Sequence, residues 1–337
     1  RFTYEEAQEI IEGAEGDFKS EILELDRLSK LLRAERFKDG SLDFSSEEVK
    51  FRLDENGKPL GVYTKVMKDA NKLIEDFMLL ANRRVARFIA KPSEGKAKTF
   101  VYRIHDLPNE QKLAELRTFV GHLGYDVPQL DPEHNAKREI NKLLQKVEGK
   151  AEEASVKQLS IRTMAKAEYS INNIGHFGLS FDYYSHFTSP IRRYPDVMVH
   201  RLLADYLDGK PSANAGDYQK LCKHSSMLER KAAEAERSSI KYKQVEFLTS
   251  RIGEQFEGTI TGITGWGMYV EINENKCEGM VSLKAIAYDS FQFDEQEYAI
   301  IGRRTGERFT LGDQVKIVVS GANLEKKQLD FSLVVED

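Results

Sequence analysis

Two hydrophobic rhythms divide the chain near residue 250. Up to that point apolar residues recur three and four apart, the mark of helices with one buried face. Residues 4–37 keep this spacing at Ile22, Leu25, Leu28, Leu31 and Leu32 and predict a long helix. The stretch "ANKLIEDFMLLANRRVARFI" keeps it at Ile74, Met78, Ala81, Val85 and Phe88 and predicts a second. Further helices are predicted over 109–122, 132–148 and 156–169, and over "RRYPDVMVHRLLADYL". A long one runs from Asp217 to about Ser250, with Leu221, Ser225, Leu228, Ala232, Ala235, Ser239 and Tyr242 on a seam of small residues that invites a close neighbour. One early interruption alternates instead: "VKFRLDENGKPLGVYTKV" pivots on Asn56-Gly57, the dipeptide of a type I′ hairpin turn.

After Gly253 the period changes to two. "GEQFEGTITGITGWGMYVEINENKCEGMVSL" and "DQVKIVVSGANLEKKQLDFSL" alternate apolar and polar residues, with glycines at the turns. Five short strands of this kind close into a small barrel of the OB type. The expected fold is therefore α+β, with a helix-rich region over residues 1–250 and a five-stranded barrel over 251–337.

Composition narrows this picture only slightly. A chain of 337 residues suits two domains. No apolar run approaches the roughly 20 residues that span a bilayer, and no signal-peptide pattern opens the chain, so a cytoplasmic protein with no membrane partner is expected. Cys222 and Cys277 lie far apart without a CxxC spacing, which argues for buried thiols rather than a disulfide framework or structural zinc. With a net charge of -5, any anionic partner must be met by a local basic patch. The chain opens at Arg1 and passes at once into a helical stretch, and it reads as the middle of a longer protein.

Such a patch stands out in "GHFGLSFDYYSHFTSPIRRYPDVMVHR", residues 175–201. Pro190 biases Ser189 out of the helical region, so the chain turns there and a helix can start close behind. The first amides of that helix, the Ser189 hydroxyl, Arg192 and Arg193 would then converge, as a phosphate or a developing phosphorane charge requires. The alternative is an arginine pair bridged to Asp182 or Asp196. His176, His186 and His200 match no zinc spacing and read more simply as structural histidines.

Glu75 and Asn82 share one helix face, as do Glu229 and Glu236; such pairs hold a metal, bind ribose hydroxyls, or simply face solvent. Trp266 and Tyr269 bracket "WGMY". Both reach the surface only if the strand bends, which a bulge at Gly265 and Gly267 permits, and exposed aromatics there stack on bases. Otherwise they belong to the core.

With these residues in view, "HFGLSFDYYSHFTSPIRRYPDVMVHR" resembles the hallmark segment of the RNB family of exoribonucleases along its whole length. "IEDFMLLANRRVA", "YRIHDLP" and "SIRTMAKAEYSINNIGHFGL" resemble the segments that flank it. The end, from "GTITGITGWGMYVEI" to "LDFSL", is similar to an S1 RNA-binding domain. The resemblance implies removal of nucleotides one at a time from the RNA 3′ end as nucleoside 5′-monophosphates, with Mg²⁺ activating water. It implies that Arg192 contacts the scissile phosphate, that Phe44 stacks on a base at the far end of the bound segment, and that Glu75 helps hold the RNA. Glu236 corresponds to a carboxylate beside the terminal nucleotides, with Glu229 close enough in pattern to compete. The S1 aromatics fall on Trp266, where phenylalanine is usual, and Tyr269, while Ser282 stands where histidine is frequent.

The closely spaced aspartates that bind metal in this family have no counterpart in the chain. The resemblance thus places the Mg²⁺ ligands upstream of Arg1 and makes the chain the back half of the catalytic domain plus an S1 domain. A monomer is expected, with RNA and the N-terminal remainder as partners. The chain alone is expected to act as an RNA-binding module without catalysis, its sheet edge covered by something.

Overall fold

The computed structural model of the chain describes residues 1–42, 48–91, 96–150, 152–286, 288–294 and 298–334; Phe44 lies outside them. The helix expected over 4–37 is two helices, α1 (Tyr4–Ile11) and α2 (Lys19–Lys38). Gly13 at φ 116° and Phe18 at φ 57° part them, since neither conformation continues a helix. Thr3 and Glu6 close α1 with a reciprocal capping box.

The hairpin of β1 (Glu48–Leu53) and β2 (Pro59–Lys65) forms as expected, but not with a type I′ turn. That turn needs positive φ at both central residues; of Asn56 and Gly57 only Gly57 has it, at 76°. Gly57 N–H donates to the Asp54 carbonyl, and the Asp54 carboxylate accepts the amides of Asn56 and Lys58. An aspartate bonding its own following backbone sets this turn.

α3 (Asp69–Ala90), β3 (Tyr102–Ile104), α4 (Glu110–His122), α5 (Ala136–Val147) and α6 (Glu153–Thr163) follow. The helix expected to reach residue 169 stops at Thr163, and β4 (Glu168–Ser170) pairs antiparallel with β3 instead. Outside this pairing, Arg103 N–H donates to the Tyr184 carbonyl and Tyr169 N–H to Ser226 Oγ, so the chain covers these strands from within. α7 (Tyr194–Leu207) and α8 (Ala215–Thr249) complete the helical region.

Next come β5 (Gln255–Thr264), β6 (Gly267–Ile272), β7 (Glu278–Ser282), β8 (Phe291–Asp294), β9 (Ala299–Gly302), β10 (Arg308–Thr310), β11 (Gln314–Asn323) and β12 (Gln328–Leu333). Strands β11, β12, β7, β6 and β5 form the expected closed barrel. The sequence reading missed the three-stranded sheet β8–β9–β10 inserted in it, because its runs are too short to show an alternation.

Two apolar cores support these layers. One gathers Ala86 and Ile89 of α3, Phe100, Tyr102, Tyr169, Met198, Val199 and Leu202 of α7, and Cys222 of α8. The other takes in α4, α5 and α6, Val245, Phe247 and Leu248 at the end of α8, and the barrel interior. The expected stripe of α3 is rotated: Ile74 and Phe88 are exposed, and the buried face is Ala70, Leu73, Asp76, Asn82, Ala86 and Ile89. Two polar residues on that face misled a reading based on hydrophobicity. The α8 seam is also corrected, since Leu228, Ala232, Ala235, Ser239 and Tyr242 are exposed. The lower half of α8 grips the barrel, with Lys241 Nζ donating to the Glu278 carbonyl at 2.5 Å and Gln244 Nε2 to that of Lys276 at 3.1 Å.

Candidate nucleic-acid interface

The segment 175–196 has almost no regular structure, and side chains hold it in place. It hangs first from His105, just beyond β3. Phe177 N–H donates to the His105 carbonyl at 2.9 Å and Gly178 N–H to its Nδ1 at 3.0 Å, while His105 N–H donates to the Gly175 carbonyl. Gly175 adopts φ 81°, and a Cβ there would stand 3.0 Å from the Phe181 carbonyl oxygen, so glycine is required. The three histidines are structural. His176 packs edge-on against His105 and Tyr184; the His186 Nδ1 and Tyr169 Oη are 2.8 Å apart; His200 stacks on Phe187 and bonds its carbonyl. Loss of hydration lowers His176 to about 3, helped by His105 and Arg103, and lowers His186 to about 2, helped by Arg193 and Arg103. Both rings are therefore neutral at physiological pH and attract no phosphate.

Beyond His186 the chain reaches its turn. Helix α7 starts at Tyr194 rather than close to Pro190, and the amides of Arg192 and Arg193 donate back to the Ser189 carbonyl at 3.3 and 3.1 Å. The expectation of free early amides at residues 190–193 is thereby corrected. Arg193 is corrected as well: its Nη2 lies 2.9 Å from Asp196 Oδ1, and Asp196 is completely buried. Arg192 is exposed, bonds only the Ser189 hydroxyl, at 3.3 Å, and has no carboxylate partner among the described residues. Asn82 is 3% exposed; its Oδ1 accepts from Phe187 N–H and Thr188 N–H, and its Nδ2 donates to Tyr184 Oη. It belongs under the turn, not on a ligand.

The carboxylates separate too. Glu229 makes a two-pronged pair with Arg103, at 2.6 and 3.0 Å, and that guanidinium lies 4.6 Å over the Tyr169 ring. Glu236, two turns further along α8, is exposed and carries no partner among the described residues. Glu75 is exposed on α3, while the next residue, Asp76, is buried and binds Ser29, Arg33 and Arg36 of α2. The sequence reading missed both Arg103 and Asp76; an aspartate on an otherwise apolar face was the available signal for the second.

Glu75 lines an open groove of about 2430 Å³ that runs from the helices to Thr259 and Thr261 of the barrel. Lysines and arginines outnumber glutamates on its walls ten to four, and none of the ten belongs to the 175–201 segment in which the basic patch was expected. Arg192, Glu236, Trp266 and Tyr269 do not line it. Trp266 is 76% exposed on the turn between β5 and β6. Tyr269 is half-buried, its ring 3.2 Å from where a Cβ on Gly262 would sit. The bulge that bends this hairpin lies between Ile260 and Gly262 of β5, not at Gly265 and Gly267.

Among the described residues no three histidine, cysteine, aspartate or glutamate side chains gather to hold a metal ion. The residues present therefore do not fit a Mg²⁺ site. No described helix is long and apolar enough to cross a membrane.

Comparison with known proteins agrees with this layout. The RNB domain matches residues 1–209 and the S1 RNA binding domain residues 249–333. The chain is 38% identical to Ribonuclease R of Aquifex aeolicus over 99% of its own length and 48% of that protein. It is 32% identical to Ribonuclease R of Escherichia coli over 99% of its length and 43% of that protein. It thus spans less than half of either relative. Among solved structures, Mycoplasma genitalium RNase R in complex with ribose methylated single-stranded RNA superposes with a TM-score of 0.90 at 29% identity, covering 99% of this chain and 53% of the other.

Proposed function

Because the chain belongs to the RNB family, with an S1 domain following the RNB domain, we propose that the protein carrying it is a processive 3′-to-5′ exoribonuclease. It hydrolyses RNA to nucleoside 5′-monophosphates. Arg192 carries this reading: an exposed guanidinium, fixed on a turn and without a carboxylate partner among the described residues, can pair with a scissile phosphate and stabilise charge developing there. The basic groove guides RNA past Glu75. Glu236, which has no partner among the described residues, faces the terminal nucleotides, and Glu229 is occupied by Arg103. Trp266 stacks on a base upstream, with Tyr269 beside it. We place the domain division at 250/251, where α8 has just ended, and the Mg²⁺ ligands in the remainder of the protein upstream of Arg1.

A second reading applies to these 337 residues by themselves: they bind RNA and do not cut it, because no three ligating side chains gather among those described. Metal-dependent shortening of RNA by the 337-residue chain alone would overturn that reading.

The first reading is tested on the full-length protein with 5′-labelled single-stranded RNA and Mg²⁺. Shortening by wild type should run from the 3′ end to a short labelled product with few intermediates. Arg192→Ala should slow it by 10²-fold or more, about 3 kcal/mol, with little change in RNA affinity. Shortening by the variant at the wild-type rate would remove Arg192 from the chemistry.

A further inference from the structure

Three consecutive amides precede Pro190, and none donates to a backbone carbonyl. Phe187 and Thr188 donate to Oδ1 of Asn82, at 2.9 and 3.2 Å, and Ser189 to Oδ1 of Asp196, at 2.7 Å. Both acceptors are buried, Asn82 on α3 and Asp196 on α7. Buried polar acceptors must be paired, so the path of 187–189 follows wherever these two side chains lie. Ser189 is the pivot: Asp196 fixes its N–H, and its carbonyl receives the amides of Arg192 and Arg193. Any shift of 187–189 therefore moves Arg192 with it.

Asparagine suits this place for a chemical reason. Its carbonyl oxygen has two lone pairs for two amides, and its Nδ2 donates to Tyr184 Oη at 3.2 Å. The Tyr184 ring packs in turn against His176, Phe181 and His186. Asn82 also stands two helical turns beyond Glu75, about 10.5 Å along the axis at the standard rise, so it ties the helix that carries Glu75 to the loop that carries Arg192.

We propose that Asn82 is a positioning residue that aims Arg192 at the reacting phosphate and sets its distance from Glu75. This rests on the reading of Arg192 given above and adds what aims it. Losing Asn82 displaces the loop but does not release it. The Phe187 carbonyl remains bonded to His200, Ser185 Oγ still donates to the Val101 carbonyl, and Asp196 keeps Ser189.

The test is a double-mutant cycle in the full-length protein with 5′-labelled single-stranded RNA, reading single-turnover cleavage and RNA affinity separately. Asn82→Leu, similar in size but without an acceptor, should slow cleavage by on the order of tenfold to a hundredfold, the usual result of misplacing a reacting group, with affinity unchanged. Asn82→Asp keeps the two acceptors, while the Tyr184 hydroxyl reverses to donate, and should stay within about threefold of wild type. In an Arg192→Ala background, Asn82→Leu should add less than about twofold, because a residue that acts through another has nothing left to aim. Hydrogen exchange over residues 185–193 should rise in Asn82→Leu and not in Asn82→Asp. Equal slowing of wild type and Arg192→Ala by Asn82→Leu would overturn the proposal, as would an Asn82→Asp variant as slow as Asn82→Leu. If Asn82→Leu does not fold, Asn82→Ser, with its shortened acceptor, replaces it under the same expectations. Unchanged cleavage by Arg192→Ala alone would sink the reading of Arg192 and this proposal together, an outcome distinct from a failed cycle.

Discussion

Arg192 and Trp266 both stand on exposed tips, yet the two tips are made rigid by opposite means. Trp266 crowns a hairpin whose backbone groups pair along β5 and β6, and its carbonyl accepts the Leu283 amide at 3.0 Å. Arg192 crowns a turn whose preceding amides bond side chains, one of them on a helix more than a hundred residues earlier in the chain. A strand ladder satisfies its backbone whatever its side chains are; an irregular loop does so only if particular polar residues arrive from elsewhere. The barrel tip should therefore tolerate change at its tip residue and resist change in its ladder, and the arginine turn should respond to substitutions far from it.

The largest departure is expected in the ladder. A Cβ on Gly267 would meet the Val281 carbonyl oxygen at 2.3 Å, a backbone atom that cannot step aside. Gly267→Ala should destabilise the barrel by about 3 kcal/mol, read by chemical denaturation, because overpacking a tight contact strains the backbone. A barrel as stable as wild type would show that the ladder yields and that the contrast is weaker than drawn. At the tip itself, Trp266→Ala should leave stability unchanged and weaken single-strand RNA binding by roughly 1–3 kcal/mol. Unaltered affinity in a titration would remove the stacking role.

The smallest effect concerns the polar loop. His176 and His186 are held at about 3 and about 2, below the ordinary histidine value of about 6.5, by loss of hydration. As pH falls below that ordinary value, the unfolded chain takes up protons that the folded chain refuses, so stability present at neutral pH is lost as the medium is acidified. Each ring contributes up to about 1.4 kcal/mol per pH unit over that range. Thermal melts at pH 7.5 and 5.5 should show the loss, and His186→Asn should flatten it. An equal slope in the variant would mean that His186 is hydrated in the fold.

Much of the fold was legible where local pattern and tertiary need coincide. The barrel strands alternate because one face of each fills the barrel, and α4, with Asn109 bonding the Lys112 amide, starts within a residue of where the spacing put it. Two of the three failures share one cause. The stripe on α3 was misplaced because Asp76 and Asn82 are buried polar residues, and the α8 seam because its small residues face outward. The type I′ turn was misassigned because Asp54, two residues before the signal dipeptide, directs the backbone. On α3 and at the turn a polar side chain outweighed hydrophobic period.

By itself the sequence determined the two regions, the closed barrel at the end, and Arg192 with Arg193 as the pair to watch in a segment dense with aromatics and charge. Its resemblance to the RNB family pointed to phosphate chemistry. Only the tertiary structure decided that Arg193 is tied to Asp196 while Arg192 has no carboxylate partner among the described residues, that Glu229 is bound by Arg103 while Glu236 is not, and that Asn82 lies beneath the turn. The reason is physical. Hydrophobic period encodes which face is buried, whereas the partner of a polar group depends on which distant segments meet, and that is settled when the chain packs.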